Sequence, residues 1–166
     1  PYSSTLDTPN GCTYELVLYR SNGGTVLSRG TSDAGSTPDN PRIYIYPSGG
    51  SEGVIYFDWS YPSHDVYGYS NVSINANTYY HVVMTATPGG YLKLYVNGVD
   101  ATGPSYGGTL PNPLPNTPNP IQIGGGTWLS NYFAGKIPVT KIYNRVLTAG
   151  EILQNYNHYK TRFNLS

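Results

Sequence analysis

Acidic side chains are the first residues to examine for chemistry, because hydrolysis of a glycosidic bond needs two carboxyl groups about 5 to 9.5 Å apart. Alternation along one strand would place such a pair at positions i and i+2, since these side chains share a face. The nine acidic residues are Asp7, Glu15, Asp33, Asp39, Glu52, Asp58, Asp65, Asp100 and Glu151. No two of them have that spacing. The sequence therefore predicts no catalytic residues, and Asp58 with Asp65 is the best remaining pair.

Residues that ligate metals or act as nucleophiles are also scattered along the chain. The histidines are His64, His81 and His158, and Cys12 is the only cysteine. None of these residues has the spacing of a metal site, and one cysteine cannot form a disulfide framework. His81 falls in the middle of a predicted strand, where we expect a structural role. The sequence alone thus predicts no metal site built from His or Cys.

Aromatic side chains beside amides are the chemical feature that the chain does have, with 18 Tyr and 2 Trp. The C–H face of a sugar stacks on such rings while polar side chains hold its hydroxyl groups. The candidate ligand-binding residues lie in two predicted loops and are Tyr61, His64 and Tyr67 in one, and Trp128, Asn131 and Tyr132 in the other. Protein interfaces are also rich in Tyr and Trp, so contact with a neighbouring subunit is the competing interpretation.

Composition narrows the function classes further. Charged residues are 11% of the chain and their net charge is zero, against about 25% in typical soluble proteins. Without a basic stripe, we expect no nucleic-acid partner. No apolar run approaches the roughly 20 residues of a membrane helix, so we expect no membrane insertion. The chain forms one predicted domain, residues 1–166, and its start at Pro1 suggests a piece of a longer polypeptide.

Alternating polar and apolar residues predict a chain of short strands. In the first half these are residues 14–19, 25–29, 42–46, 54–59 and 71–74, with residues 60–69 as a polar connection. The second half begins with a hairpin from Tyr79, turning at residues 88–90 and ending at Asn97-Gly98, a dipeptide suited to positive φ. Leu92, Leu94 and Val96 are its predicted core, and Tyr91, Lys93, Tyr95 and Asn97 its outward residues.

The remaining segments complete the predicted fold. Residues 103–120 contain too many prolines for a ladder strand and predict a long rigid loop, after which a strand resumes at Ile121. The last strand, 137–143, contains Pro138 and is expected at an edge. Thr148 and Glu151 have the spacing of a capping box. The helix that they begin is expected to pack Ile152, Leu153, Tyr156 and Tyr159 on the strands.

The C-terminal half resembles the laminin G-like modules of the concanavalin A-like lectin/glucanase group. The matching residues are Tyr80-His81-Val82-Val83, Leu94-Tyr95-Val96-Asn97-Gly98, Ile123-Gly124-Gly125, Gly135-Lys136-Ile137, Ile142-Tyr143-Asn144-Arg145, Leu147 and Glu151-Ile152. The resemblance implies an all-β, two-sheet antiparallel jelly-roll sandwich with one short C-terminal helix. Residues 152–163 are similar to versions of the module on bacteriophage and other viral structural proteins.

Calcium is the metal that the resemblance would imply. Related modules often have an acidic pair after the Gly-x-Ile motif, where this chain has Pro138 and Val139. Asp33, Asp39 and Asn40 offer another group of oxygen ligands on a loop. Calcium therefore stays open as a cofactor, and no other cofactor is predicted.

The functional hypothesis that follows is a non-catalytic, lectin-like module of a virion or other extracellular structural protein. Its partners would be surface glycans or neighbouring structural subunits. A purely structural contact domain is the alternative, and a polysaccharide-degrading enzyme comes third. The expected location is the virion surface or the extracellular space.

Overall fold

A computed structural model of the protein describes residues 6–30, 41–61, 64–115, 118–125 and 131–165. These residues form eleven strands and one helix. One sheet contains β1 (Cys12–Arg20), β6 (Thr78–Ala86), β7 (Leu92–Val96), β8 (Val99–Asp100) and β11 (Gly135–Tyr143). The other contains β2 (Gly24–Ser28), β3 (Arg42–Ile45), β4 (Val54–Tyr61), β5 (His64–Ser73), β9 (Thr102–Tyr106) and β10 (Gln122–Ile123). Helix α1 (Ala149–Phe163) follows β11.

The two sheets pack face to face as a sandwich. The five-stranded sheet has the order β11-β1-β6-β7-β8 and the six-stranded sheet β10-β2-β3-β4-β5-β9, with antiparallel neighbours throughout. Alternate residues of each strand point inward, such as Ile43, Phe57 and Val82, and they are fully buried. The predicted all-β jelly-roll sandwich with a C-terminal helix is confirmed.

The predicted hairpin of β6 and β7 is confirmed as well. Gly89 at its turn has φ +67°, and Asn97 and Gly98 after β7 have φ +50° and +79°. The Asn97 side chain accepts a hydrogen bond from the His81 backbone N–H at 2.9 Å. This bond holds the left-handed residue in place, so the turn residues do here what their sequence predicts.

Helix α1 covers the outer face of the five-stranded sheet. Ile152 packs with Val83 and Tyr95, while Tyr156 and Tyr159 pack around Val17. Leu153 was predicted to join them, but 46% of its surface is exposed. Tyr95 was predicted to face outward, and the structure corrects this because the helix buries its ring.

The ends of α1 follow their sequence signals. Thr148 accepts a hydrogen bond from the Glu151 backbone N–H, and the Glu151 carboxylate accepts one from the Thr148 backbone N–H. This capping box confirms the predicted start of the helix. Asn164 ends the helix in the left-handed conformation with φ +49°. The cap stabilises α1 at the point where the chain leaves β11.

Two predicted loops contain strands instead. Residues 60–69 were predicted to be a connection, but β4 reaches Tyr61 and β5 starts at His64, with these two residues paired. The segment has polar residues on one strand face, which obscured its alternation. Residues 103–106 also belong to a strand, β9, although Pro104 lies within it. A proline is tolerated there because β9 is the edge of its sheet. Pro138 lies in β11, which is an edge strand of the five-stranded sheet as predicted.

Candidate functional site

Tyrosine rings cover the outer face of the six-stranded sheet. The six residues, called the tyrosine face below, are Tyr44, Tyr46, Tyr56, Tyr67, Tyr69 and Tyr106. Each ring contacts another member with centroids 5.1 to 6.5 Å apart. Tyr67 and Tyr106 are stacked at 5.1 Å, and Tyr67 and Tyr69 meet edge to face at 6.1 Å. These are favourable arrangements for aromatic pairs, so the rings form one continuous surface.

Strand register explains why the rings meet. Tyr44 pairs with Tyr56 across β3 and β4, Tyr56 pairs with Tyr69 across β4 and β5, and Tyr67 pairs with Tyr106 across β5 and β9. Residues opposite each other in an antiparallel pair point to the same side of the sheet. The inward partners on β3 and β4, including Ile43 and Phe57, are core residues, so the tyrosines must face outward.

Water reaches this surface. Helix α1 packs on the other sheet, and the rings of the tyrosine face are half-buried, with Tyr106 49% exposed. The rings support one another at their edges, and part of each side chain remains exposed. This is a different environment from the core, where Tyr14 is fully buried.

An ion pair lies among the rings. The Arg42 guanidinium donates from Nε to Asp58 Oδ1 at 3.0 Å and from Nη2 to Asp58 Oδ2 at 3.1 Å. Arg42 also lies over the Tyr56 ring, with Cζ 5.0 Å from the centroid. Burial alone would lower the pKa of Arg42, but Asp58 raises it above its usual value. Arg42 is therefore held as a cation in a two-point contact.

Asp58 is the buried partner of this pair, with 2% of its surface exposed. Burial raises the pKa of Asp58 to about 6, although Arg42 and a hydrogen bond from Ser60 oppose the shift. Asp65 lies nearby on the same face, because it pairs with Ser60 two residues along β4. The best remaining acid pair of the sequence is thus brought together as diagonal neighbours. Both Asp58 oxygens already accept hydrogen bonds below the surface, so Asp58 is not placed to protonate a bound sugar.

Asn131 and Tyr132 extend the tyrosine face at one end. They line a shallow cavity of about 180 Å³ together with Tyr44 and Pro47. Tyr132 is 68% exposed, and the Asn131 carbonyl accepts the Thr25 backbone N–H at 2.8 Å. Two of the residues that the sequence singled out therefore adjoin the same surface as Tyr67.

Tyr61 and His64 lie elsewhere. Their rings are 5.0 Å apart, and the Tyr61 ring packs against the sandwich core. Tyr61 follows the core residue Trp59 by two positions in β4, so both side chains lie on the same side of the sheet. Tyr61 and its paired residue His64 therefore lie on the side opposite Tyr67. His64 Nε2 is also within hydrogen-bond distance of the Gly107 carbonyl. The three residues predicted from the first segment do not line one surface, and Trp128 lies outside the described residues.

His81 has the structural role that was expected. Its Nε2 lies 2.9 Å from Glu15 Oε1, and both residues are fully buried between β1, β6 and α1. Tyr143 donates to the other Glu15 oxygen, which also accepts from the Asn155 amide at 3.1 Å. Burial alone would raise the pKa of Glu15, but the hydrogen bonds of His81 and Tyr143 lower it.

Among residues 6–30, 41–61, 64–115, 118–125 and 131–165, no group of three His, Cys, Asp or Glu side chains is placed to hold a metal ion. The alternative calcium cluster of Asp33, Asp39 and Asn40 lies outside these residues. Pro138 and Val139 in β11 contribute no side-chain oxygen at the position where related modules often have an acidic pair. The described residues therefore do not fit a calcium site there.

The described part of the chain has no helix with the length and apolar character to cross a membrane. Cys12 is buried, and burial raises the pKa of its thiol to about 11. Such a thiol is protonated at neutral pH and is a poor nucleophile.

Sequence reasoning missed most of the tyrosine face. It selected Tyr67 but not Tyr44, Tyr46, Tyr56, Tyr69 or Tyr106. The signal was present in the alternation of β3, where tyrosines oppose the two isoleucines, and it recurs at Tyr56. Had residues 64–70 been assigned to a strand, Tyr67 and Tyr69 would have been placed on one face. Only the order of the strands in the sheet could show that these faces are neighbours.

Comparison with known families gives one match over most of the chain. A family model described as the concanavalin A-like lectin/glucanases superfamily matches residues 2–153. None of the curated protein sequences matches at a significant level.

Solved structures share the fold at low sequence identity. A protein of Bacteroides ovatus, provisionally assigned as carbohydrate-binding, has 18% identity and a TM-score of 0.66, over 93% of this chain and 42% of that one. The carbohydrate-binding module of a Ruminococcus gnavus sialidase, bound to α2,3-sialyllactose, has 14% identity and a TM-score of 0.68, over 92% and 86%. Botulinum neurotoxin type C, whose cell entry depends on two ganglioside molecules, has 14% identity and a TM-score of 0.59, over 93% and 37%. The chain thus spans less than half of the first and third proteins.

Proposed function

We propose that this chain, which belongs to the concanavalin A-like lectin/glucanase superfamily, is a non-catalytic, lectin-like module that binds glycans on its tyrosine face. The observation that carries the proposal is the continuous array of six partly exposed rings on a sheet face that α1 does not cover. Aliphatic side chains in this position would be expected to be buried by another element. A tyrosine has an apolar ring and a polar hydroxyl group, so it can contact either water or a sugar.

The geometry of the face suits a chain of sugars. The rings extend across β3, β4, β5 and β9, which is about 14 Å for three inter-strand spacings of about 4.8 Å. Pyranose C–H faces would stack on the rings, and phenol hydroxyls would exchange hydrogen bonds with sugar hydroxyls. Asn131 and Tyr132 would hold one end of the ligand beside Tyr44.

The structural relatives support a glycan as the ligand class. One of them is bound to sialyllactose and another belongs to a toxin that interacts with gangliosides. At 14% identity, these similarities establish the fold, and the ligand of this chain is inferred from its own surface.

The parent protein, we propose, is a virion or other extracellular structural protein, in which this module recognises surface glycans or decorates an assembly. Low charge and high Tyr content support this setting, since an uncharged hydrogen-bonding surface suits contact with glycans and proteins. The alternative is a purely structural module, in which the tyrosine face contacts a neighbouring subunit and binds no sugar.

A glycan array followed by calorimetry tests the proposal. We expect the protein to bind at least one oligosaccharide class, and Tyr67→Ala and Tyr106→Ala each to weaken the affinity about tenfold, which corresponds to about 1.4 kcal/mol. Tyr91→Ala is the matched control, because Tyr91 is 59% exposed and precedes β7 in the other sheet. Failure to bind any glycan would favour the structural alternative. Size-exclusion chromatography with light scattering would then show whether the protein associates with itself, as contact between subunits requires.

Hydrolysis is the third candidate and has a separate test. Release of reducing ends from a bound polysaccharide, lost in Asp65→Asn, would overturn the non-catalytic assignment. We expect no release, since Asp58 is held by Arg42 and Ser60.

A further inference from the structure

We infer that the ligand of the tyrosine face is a neutral glycan, and that sialylated, sulfated and uronic-acid-containing chains are selected against. This inference rests on the proposed function, because it specifies the ligand of the same surface. It depends on where the charges of the chain lie relative to the tyrosine face.

The Lys and Arg side chains lie mostly away from the tyrosine face. The nine Lys and Arg residues of the sequence all fall within the described ranges. Four of them, Lys136, Lys141, Lys160 and Arg162, lie on β11 or α1, where each is placed over an aromatic ring. These residues belong to the five-stranded sheet and the helix that covers it. Their charges lie on the side of the sandwich opposite the tyrosine face.

The other cations are paired with carboxylates. Arg20 binds Glu52 at 3.0 Å, Arg29 binds Asp7 at 2.6 Å, Lys93 binds Asp100 at 3.4 Å and Arg145 binds Glu151 at 2.7 Å. Arg42 is the cation among the rings of the tyrosine face. The recognition of an acidic sugar at this surface would therefore depend on Arg42.

Arg42 is already occupied. Two of its nitrogens contact the two Asp58 oxygens, and Nη2 also lies 3.4 Å from the Tyr56 hydroxyl. The fork that would hold a sugar carboxylate is thus used by a buried carboxylate of the protein itself. Replacing Asp58 by a ligand carboxylate would leave Asp58 buried and unpaired, which is strongly unfavourable.

The remaining charge on the face is negative. Among the described residues of the face, Arg42, Asp58 and Asp65 contribute one positive and two negative formal charges, so their sum is one negative charge. Asp65 is close enough to Asp58 to raise the pKa of Asp58, in addition to the larger effect of burial. An anionic ligand would be repelled by this surplus charge, whereas a neutral chain would meet no such repulsion and could exchange hydrogen bonds with the phenols.

Matched glycan pairs test the inference. Each neutral oligosaccharide that binds is compared by calorimetry with its own sialylated and sulfated forms at about 20 mM and about 500 mM salt, since screening weakens repulsion between exposed charges. We expect the acidic member to bind about fivefold more weakly at low salt, and the difference to narrow at high salt. Equal or tighter binding of the acidic member would overturn the inference while leaving glycan binding intact. Binding of neither member would contradict the proposed function itself.

Two variants identify the charges responsible. Asp65→Asn removes the surplus negative charge from a half-buried position and is expected to reduce the difference between neutral and acidic ligands. Asp58→Asn removes the carboxylate that neutralises Arg42 and is expected to abolish or reverse the difference. The double variant Arg42→Gln/Asp58→Asn is the matched control, because it removes both charges of the pair and keeps that of Asp65, and we expect it to retain the wild-type preference. A preference unchanged in Asp65→Asn and in a folded Asp58→Asn would overturn the inference.

Discussion

The outer faces of the two sheets differ in how they meet water. On the five-stranded sheet, Val17, Val83 and Tyr95 point outward and are buried by α1. On the six-stranded sheet, tyrosines point outward and stay half-exposed. Aliphatic side chains gain about 25 cal/mol for each Å² removed from water, so they favour a cover, whereas tyrosine tolerates both environments. The sheet face with aliphatic side chains is thus the one that α1 covers, and the face with tyrosines is the one that α1 does not cover.

Charge separates the two faces in the same way. The covered face has a buried network of Glu15, His81, Tyr143 and Asn155, whose hydrogen bonds cross from the sheet to the helix. The tyrosine face has Arg42 bound to Asp58 within one sheet. The first network joins two elements of the protein, while the second keeps a flat aromatic surface free of an available cation. We interpret the covered face as stabilising the fold and the uncovered face as binding a ligand.

The largest expected effect is on the stability of the covered face. Ile152→Ala should lower the free energy of unfolding by about 2 to 5 kcal/mol, because it leaves a cavity between α1, Val83 and Tyr95. Urea denaturation, monitored by circular dichroism, measures this free energy. Leu153→Ala is the matched control on the next residue, and its exposed side chain should change stability by less than about 0.5 kcal/mol. Equal losses in the two variants would contradict the described orientation of α1.

The buried network should make the covered face sensitive to acid. Because the pKa of Glu15 is lowered by folding, its ionised form contributes stability above the unfolded value of about 4.5, and this contribution is lost as the pH falls through the folded pKa. Glu15→Gln should cost about 1 to 3 kcal/mol at pH 7, since donors that face Glu15 lose an acceptor. Denaturation at pH 7 and at pH 3 should show the difference from wild type narrowing in acid. A constant difference would mean that Glu15 has no lowered pKa.

The tyrosine face, as the proposed binding surface, should respond differently. Tyr132→Ala, at the end of the tyrosine face, should weaken glycan affinity about threefold, or about 0.65 kcal/mol, and leave the free energy of unfolding nearly unchanged because the ring is largely exposed. Tyr61→Ala, on the other side of the sheet, should lower stability more than affinity, since its ring packs against the core. Calorimetry and urea denaturation on the same samples separate the two effects. The reverse pattern would move the proposed site to Tyr61 and His64.

The smallest effect concerns the helix start. Thr148→Ala should cost roughly 0.5 kcal/mol, at the low end for loss of an N-cap, because the solvent-exposed Glu151 keeps its bond to the backbone of residue 148. Thermal denaturation should detect this as a small decrease in Tm. Thr148→Ser retains the capping oxygen and is the control. Unchanged glycan affinity in both variants would confirm that α1 acts on stability alone.

Sequence reasoning predicted the local structure well where one face of an element is apolar. The alternation of Ile43 and Ile45, the turn at Asn97-Gly98 and the cap at Thr148 all appeared as expected. It failed at residues 60–69 and at Pro104, where strands have polar outer faces or lie at an edge. Hydrophobic periodicity signals burial, so a strand that is exposed on one side and rich in tyrosine gives a weak signal.

The candidate site was predicted less well for a related reason. Tyr67 belongs to the tyrosine face and Asn131 and Tyr132 adjoin it, whereas Tyr61 and His64 lie on the opposite side of the sheet. A one-residue change in alternation moves a side chain from one side of a strand to the other. Treating residues 60–69 as a loop removed the information that would have separated Tyr61 from Tyr67.

The amino-acid sequence by itself determined the strands with apolar faces, their turns, the capped helix and the absence of a basic footprint, because these depend on neighbouring residues and on composition. Tertiary structure alone decided that β3, β4, β5 and β9, with the residue after β3, would bring six tyrosines together, that Asp58 would bind Arg42, and that α1 would pack on one sheet and not on the other. The physical reason is that sheet order and register join residues distant in the chain, and no local pattern records which strands become neighbours.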